Sequence, residues 1–365
     1  MVEGSGFRFF PVGPAIDELR ASDELQEYAA LTDPMARREL IRRRVFVGLL
    51  PRLTLPDLVS WCDSWSPDLI ISDNCEFAGR VTSERLDIPH ATLKVDEVDL
   101  FAYAARSQLV PAMDALRGSV GLPPDPDGAM LYRYLYLLNE PHSFSTDAEE
   151  LPPTAFRCRR VVFDQSGDEQ PPQWLRELPP RATVFATAGT AVNRTPGLLE
   201  SFTEALRDEP INAIMTIGRD RDPREFGGHA DNVRIERYVP LSLALPACDL
   251  VLSHCGHSTM YAALDPGLPL VNVPVGMDQP ENAARCERLK LGLTIDASAR
   301  SAQSIRGALR EVLADPRYRA NAERVRRDMY ALPGPREVVA VLERVARDKQ
   351  PFAGSARIPS AAIGG

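Results

Sequence analysis

The chain lacks ordered cysteine pairs, long apolar runs, an export signal and an excess of basic charge, and each shortage removes a class of function. Its six cysteines (Cys62, Cys75, Cys158, Cys248, Cys255, Cys286) contain no Cys-x-x-Cys pair and no regular spacing. That argues against a structural zinc site and leaves reduced thiols of a cytoplasmic protein as the simplest reading. No apolar run approaches the ~20 residues of a membrane-crossing helix. The opening MVEGSGFRFF has neither the basic nor the apolar region of a signal peptide. Lys and Arg number 42 against 51 Asp and Glu, a net charge of −9, which counts against nonspecific nucleic-acid binding. Internal repeats and low-complexity blocks are also missing.

The chain does have length and a regular alternation. Its 365 residues suit two domains rather than one core, and 44% hydrophobic with 25% charged residues is the balance of a globular protein. FRFFPVG (7–13) reads as a strand entering a turn, and 34–50 as a helix with Leu40, Ile41, Val45, Leu49 and Leu50 on one stripe. PDLIISD (67–73) is a short buried strand, 75–86 a helix and IPHATL (88–93) the next strand, the order of a parallel βαβ unit. Three Pro-Pro pairs across 149–181 suggest an interdomain connection. The alternation then restarts: ATVFATAGT, NAIMTIG, NVRIERYVP, DLVLSH and PLVNVP read as strands between helical pieces. Amphipathic helices follow at 301–313, 316–331 and 335–348, and the last stretch reads as a flexible tail. The expected fold class is α/β with two Rossmann-like domains. Their bounds are 1–150, a connector at 151–180, 181–334, a C-terminal helix at 335–350 and a tail at 351–365.

In open α/β sheets ligands bind beyond the carboxyl ends of the strands, and the polar residues of this chain gather there. Gly189 and Thr190 close a strand in ATAGT, where bare backbone and a hydroxyl suit a phosphate near a helix start. HCGHST repeats the device: His254 can donate to a phosphate oxygen, Gly256 lets backbone approach, and Ser258 and Thr259 offer hydroxyls and N–H groups. Asp278 and Gln279 place a carboxylate beside an amide, a pair suited to sugar hydroxyls. Singly, each has a structural alternative as a helix cap or a core histidine. Their order and spacing together favour a binding site.

HCGHST followed by ALDPGLPLVNVPVGMDQPENA resembles the donor-binding motif of the two-Rossmann (GT-B) glycosyltransferases, most of all the bacterial enzymes that glycosylate polyketide, macrolide and glycopeptide natural products. FRFFPVGP, PDLIISDNCEFAGRVTSERLDIPHATL, VFATAGT, IGRDRDP and NVRIERYVP fit the same family in order. The resemblance implies an inverting transfer of a sugar from a dTDP- or UDP-sugar to a hydroxyl of a small aglycone, with no further cofactor. By position it implies that His254, with Gly189, Thr190, Gly256, Ser258 and Thr259, contacts the donor diphosphate. It sets Tyr238 against the base and Val239 backbone at its edge, Asp278 and Gln279 on sugar hydroxyls, and Asp73 behind a catalytic base.

Three departures accompany the likeness. Leu241 stands where the family commonly has Gln after the Tyr-Val-Pro segment, so base preference is open. Ala262 replaces a ribose-binding Glu of plant members, as in many bacterial ones. The family's Gly-x-x-His loop has no counterpart among His90, His142, His229, His254 and His257, which leaves Asp73 without its base and the chain expected to be slow or inactive. The front of the family's sheet is missing with it, and the natural protein is expected to be longer, with apolar sheet edges left open here. A noncatalytic donor binder and a nucleotide-sugar epimerase are the alternatives. A metal is not expected, because Asp220 and Asp222 lie in an Arg-rich turn.

Overall fold

The computed structural model describes residues 2–15, 18–19, 21–31, 33–95, 103–145, 151–164, 169–189, 195–226 and 230–354. The chain forms two compact units: Phe9–Arg159 with Leu332–Gly365, and Arg160–Ala331 with Met1–Arg8. Each is an α/β layer structure around a parallel sheet.

The first unit carries strands β1 (Ile70–Asp73), β2 (His90–Leu93), β3 (Leu135–Leu138) and β4 (Ala155–Arg157), hydrogen-bonded in that order. All pairings are parallel, with Ile70 opposite His90, Ala91 opposite Leu135 and Tyr136 opposite Ala155. Short, nearly continuous apolar runs such as LYLL are what a strand covered on both faces requires. Leu135–Leu138 is accordingly core, with Leu135 and Leu138 wholly buried, while Arg133 just before it is exposed. β1 lies at the sheet's edge, with Ile71 half exposed.

A continuous helical run packs against the other helices of this unit: Pro34–Leu40, a wider-pitched π-helical middle at Ile41–Leu49, and α1 (Leu50–Trp65). It therefore extends well past the expected end at residue 50. By length and composition Ile41–Trp65 is also able to cross a membrane, which the apolar runs alone did not show. Val47 and Leu55 instead pack into a core with Phe77, Val81, Leu109, Met113 and Leu131, from α2 (Ala78–Leu86), α3 (Tyr103–Ser119) and the neighbouring loops.

Residues 7–13 do not form the expected strand. Phe10 stacks on Trp61 with ring centroids 4.0 Å apart, and the Gly13 N–H donates to Asp57 Oδ2 at 2.9 Å. Of the three phenylalanines in this stretch, Phe10 alone is seen to pack on α1, and Phe7 and Phe9 are exposed.

The connector expected at 151–180 is also different. β4 falls within it as part of the first sheet, and the break between units comes at Arg159.

The second unit holds β5 (Thr183–Thr187), β6 (Asn212–Thr216), β7 (Val233–Glu236), β8 (Leu250–Ser253), β9 (Leu270–Asn272) and β10 (Gly292–Thr294). Their order is β10-β9-β8-β5-β6-β7, all parallel. The strand order reverses between β5 and β8, which makes that crevice the switch point of a doubly wound fold. The helices α4 (Leu198–Leu206), α5 (His257–Leu264), α6 (Gln279–Arg288), α7 (Ala302–Ala314) and α8 (Pro316–Tyr330) belong to this unit. The core joins Phe202 of α4 and Ile305 of α7 to Val184, Leu252 and Val271 of the sheet.

The last helix, α9 (Pro335–Asp348), returns to the first unit. Val345 and Phe352 are buried against Ala91, Leu135, Leu137 and Cys158. The Phe352 N–H donates to the Tyr134 carbonyl at 2.7 Å, and its ring meets Phe156 edge-on at 5.4 Å.

Candidate functional site

β5 and β8 end side by side at the switch point of the second unit, and the polar loops follow them. After β5 the chain reaches Gly189 at φ +67°, its N–H donating to Thr187 Oγ1 at 3.1 Å. After β8 comes His254, 93% buried, between two glycines. A Cβ on Gly189 would lie 2.7 Å from His254 Cε1, and one on Gly256 only 2.5 Å from Nε2. Both positions therefore have to be bare for the imidazole to occupy this slot. Burial pushes its pKa down to about 4. At neutral pH it is an uncharged ring, able to donate through one nitrogen and accept through the other. Its Nδ1 is buried without a hydrogen-bond partner.

The next turn is built by side chains on α6. Cys255 takes a left-handed φ of +62° and donates its N–H to Ser253 Oγ at 3.0 Å. Asn282 Nδ2 donates both to the Cys255 carbonyl at 2.9 Å and to Asp278 Oδ2 at 2.8 Å. That same carboxylate oxygen accepts the His257 N–H, 3.1 Å away, and so caps the start of α5. Within the first turn, the Ser258 and Thr259 N–H groups have no acceptor inside the helix. With the positive end of the helix dipole behind them, they suit an anion. Ser258 is exposed and Thr259 buried.

Gln279, also buried, closes its own loop: Oε1 accepts from the Val275 N–H at 2.7 Å and the Gly276 N–H at 3.1 Å. Asp278 and Gln279 thus shape the loop with one oxygen each. Beyond β7, the Tyr238 hydroxyl donates to the Asp164 carbonyl at 2.6 Å, and burial raises its pKa. The Arg219 guanidinium lies 3.9 Å from the centre of the Tyr238 ring. Val239 beside it is buried. Thr190 falls outside the described residues.

Three residues of this region were not singled out in the sequence, although Arg219 lies within the IGRDRDP segment. Asp164 accepts the Ser242 hydroxyl at 2.5 Å and its N–H at 2.9 Å, which fixes the turn after Tyr238. Arg219 covers one face of that tyrosine. Arg160 reaches α5: Nη1 sits 2.9 Å from His257 Nδ1 and Nη2 3.4 Å from Ser258 Oγ. Asp164 and Arg160 lie in the stretch read as a connector, and only long-range contacts reveal their places.

Asp73, expected to orient a catalytic base, closes β1 in the first unit. Its Oδ1 accepts the Cys75 N–H at 2.7 Å, and its carbonyl accepts Arg80 Nη2 at 2.9 Å. Arg80 is wholly buried and also donates to the Glu76 carbonyl and, from Nε, to Thr92 Oγ1 at 3.4 Å. Glu76 caps α2 through the Ala78 and Gly79 N–H groups, and burial raises its pKa. His90 is structural, as its sequence setting suggests. Its Nε2 pairs with Ser72 Oγ at 2.9 Å, and burial, helped by the Arg80 charge, holds its pKa well below the usual histidine value. Among the described residues no histidine hydrogen-bonds the Asp73 carboxylate, and no group of three or more His, Cys, Asp or Glu could hold a metal ion.

Residues 209–345 match the C-terminal domain of the family described as erythromycin biosynthesis protein CIII-like. The chain is 30% identical over 314 residues to an aklavinone 7-beta-L-rhodosaminyltransferase of Streptomyces galilaeus, covering 79% of this chain and 70% of that one. It is 28% identical to a 3-alpha-mycarosylerythronolide B desosaminyl transferase of Saccharopolyspora erythraea, over 92% of this chain and 83% of the relative. The fold is similar to the crystal structure of the glycosyltransferase VinC in complex with dTDP, at TM-score 0.76 and 25% identity, covering 95% and 89% of the two chains.

Proposed function

The chain belongs to the GT-B glycosyltransferases of natural-product biosynthesis, and from that premise we propose that it moves a sugar from a dTDP- or UDP-sugar to a hydroxyl of a small aglycone, with inversion. The observation that carries this reading is the slot at the switch point: a neutral, buried His254 between Gly189 and Gly256, next to the open first turn of α5. The VinC likeness supports dTDP as the donor's nucleotide.

In the proposed reaction the acceptor oxygen bonds to the anomeric carbon as the bond from that carbon to the diphosphate oxygen breaks. The electron pair leaves with the nucleoside diphosphate. In this reading His254 and the Ser258 and Thr259 N–H groups would meet that growing charge, the preorganised stabilisation on which such displacements depend. Thr190, Asp278 and Gln279 belong to the same proposed donor site, with Tyr238 and Val239 at the base. The acceptor falls to the first unit, where Asp73 would orient a base that takes the hydroxyl proton. The donor is a co-substrate, and the reading calls for neither a metal nor another cofactor. Six free cysteines fit a cytoplasmic setting.

Base assistance is worth about 10²–10⁴-fold in rate, and Asp73 has no histidine partner among the described residues, so turnover is expected to be slow. Titration calorimetry with dTDP and UDP, followed by mass spectrometry of products from a panel of polyketide and macrolide aglycones, tests the proposal. Binding of one diphosphate and a mass gain of one sugar are the expected results. Absence of binding to either nucleotide overturns the donor site, and binding with no product from any acceptor overturns the transfer.

A further inference from the structure

We propose that Arg160 is a leaving-group residue of the donor site, its guanidinium neutralising the nucleoside diphosphate as the sugar departs. The inference rests on the donor-site reading above and adds to it a charge which that reading lacks. Every other group assigned to the diphosphate there is neutral: the His254 ring, the Thr190, Ser258 and Thr259 hydroxyls and backbone N–H groups.

Three side chains of α5 grip Arg160, at the first, second and fifth positions of the helix. Nη1 lies 2.9 Å from His257 Nδ1, Nη2 3.4 Å from Ser258 Oγ, and the guanidinium carbon 5.0 Å from the centre of the Tyr261 ring. An arginine donates and never accepts, so the His257 Nδ1 lone pair points at it and the imidazole proton sits on Nε2. The Tyr261 and His257 rings pack edge-on at 4.8 Å, which makes a rigid platform for the cation.

A cation at the start of a helix faces the positive end of the helix dipole, the unfavourable arrangement unless an anion joins it. The same loop shows where such an anion fits. His254 is 93% buried with Nδ1 unpartnered, and the Ser258 and Thr259 N–H groups lack acceptors within the helix. A phosphate seated on that turn lies beside the guanidinium that touches Ser258. The planar fork of arginine suits two phosphate oxygens at once. When the anomeric carbon–oxygen bond breaks, its electron pair passes to a phosphate oxygen, and the negative charge peaks next to Arg160. The guanidinium keeps its protons throughout.

The test uses the full chain and two variants, Arg160→Gln and Arg160→Lys, titrated with dTDP and UDP and with the matching nucleosides thymidine and uridine. Arg160→Gln is expected to lose about 10- to 100-fold in diphosphate affinity, the range for a charge-assisted hydrogen bond. Nucleoside affinity stays level, and Arg160→Lys recovers part of the loss. The salt dependence of diphosphate binding falls with the missing charge. Unchanged diphosphate affinity in Arg160→Gln overturns the assignment. So does an equal loss for nucleoside and diphosphate, which marks a structural role. Should Arg160→Gln fail to fold, the Lys variant decides alone: weaker diphosphate binding at constant nucleoside affinity supports the role, and parity with the parent rejects it. Failure of the parent to bind any nucleotide overturns the donor site and this inference together.

Discussion

At the scale of single residues, His254 ties ligand chemistry to stability. Its folded pKa is about 4, against 6.5 for a free histidine. Above pH 6.5 the ring is neutral in both folded and unfolded chains and costs nothing. As pH falls from 6.5 towards 4, only the unfolded chain takes up the proton, so stability drops, by about 3 kcal/mol over the whole window. His90, also held well below the usual value, pushes in the same direction. Urea unfolding at pH 7 and pH 4.5 should show this acid loss, and a His254→Gln variant should show a smaller one. Equal losses in both proteins would remove His254 as a cause. His254 was legible in the sequence because HCGHST follows an apolar strand and opens a helix. Arg160 was not, since it sits 97 positions from His257 in a stretch whose prolines and charges read as a connector.

Elements depend on closer contacts than a sequence pattern can express. β10 lies so near β9 that a Cβ on Gly292 would sit 1.6 Å from the Leu270 carbonyl oxygen. Gly292→Ala should therefore push the two strands apart and cost about 3 kcal/mol in chemical denaturation. The same change at Gly307, inside α7 with nothing within 4 Å, should be neutral or stabilise by about 0.5–1 kcal/mol. Similar losses at both sites would mean that β9 and β10 are not so tightly joined. Five of the second unit's six strands were readable from their short apolar runs, whereas β10 (Gly292–Thr294), only three residues long, was not. FRFFPVG is aromatic rather than aliphatic and forms no strand: Phe10 packs on Trp61 of α1, while Phe7 and Phe9 stay exposed. An apolar composition without aliphatic alternation therefore marks neither a strand nor a covered segment.

For the whole molecule, the division into units does not follow the order of the chain. α9 and Phe352 complete the first unit's core over Ala91, Leu135 and Leu137. Ending the chain after Pro333 should leave that core open, so the first unit should lose its cooperative unfolding transition while the second keeps one. Differential scanning calorimetry of the shortened chain checks this, and two intact transitions would contradict it. The two α/β halves were legible from their alternation, whereas the return of α9 was not, because an amphipathic helix shows that it has an apolar face but not which sheet receives it.

During synthesis, this connectivity reverses the usual order of maturation. The second unit has all of Arg160–Ala331 once those residues have left the ribosome. The first unit, although translated earlier, has to wait for Phe352. Its sheet stays uncovered at the α9 position while some two hundred further residues are made, at ~5–20 residues per second. A nascent chain stalled shortly before α9 should therefore be the form that chaperones bind most.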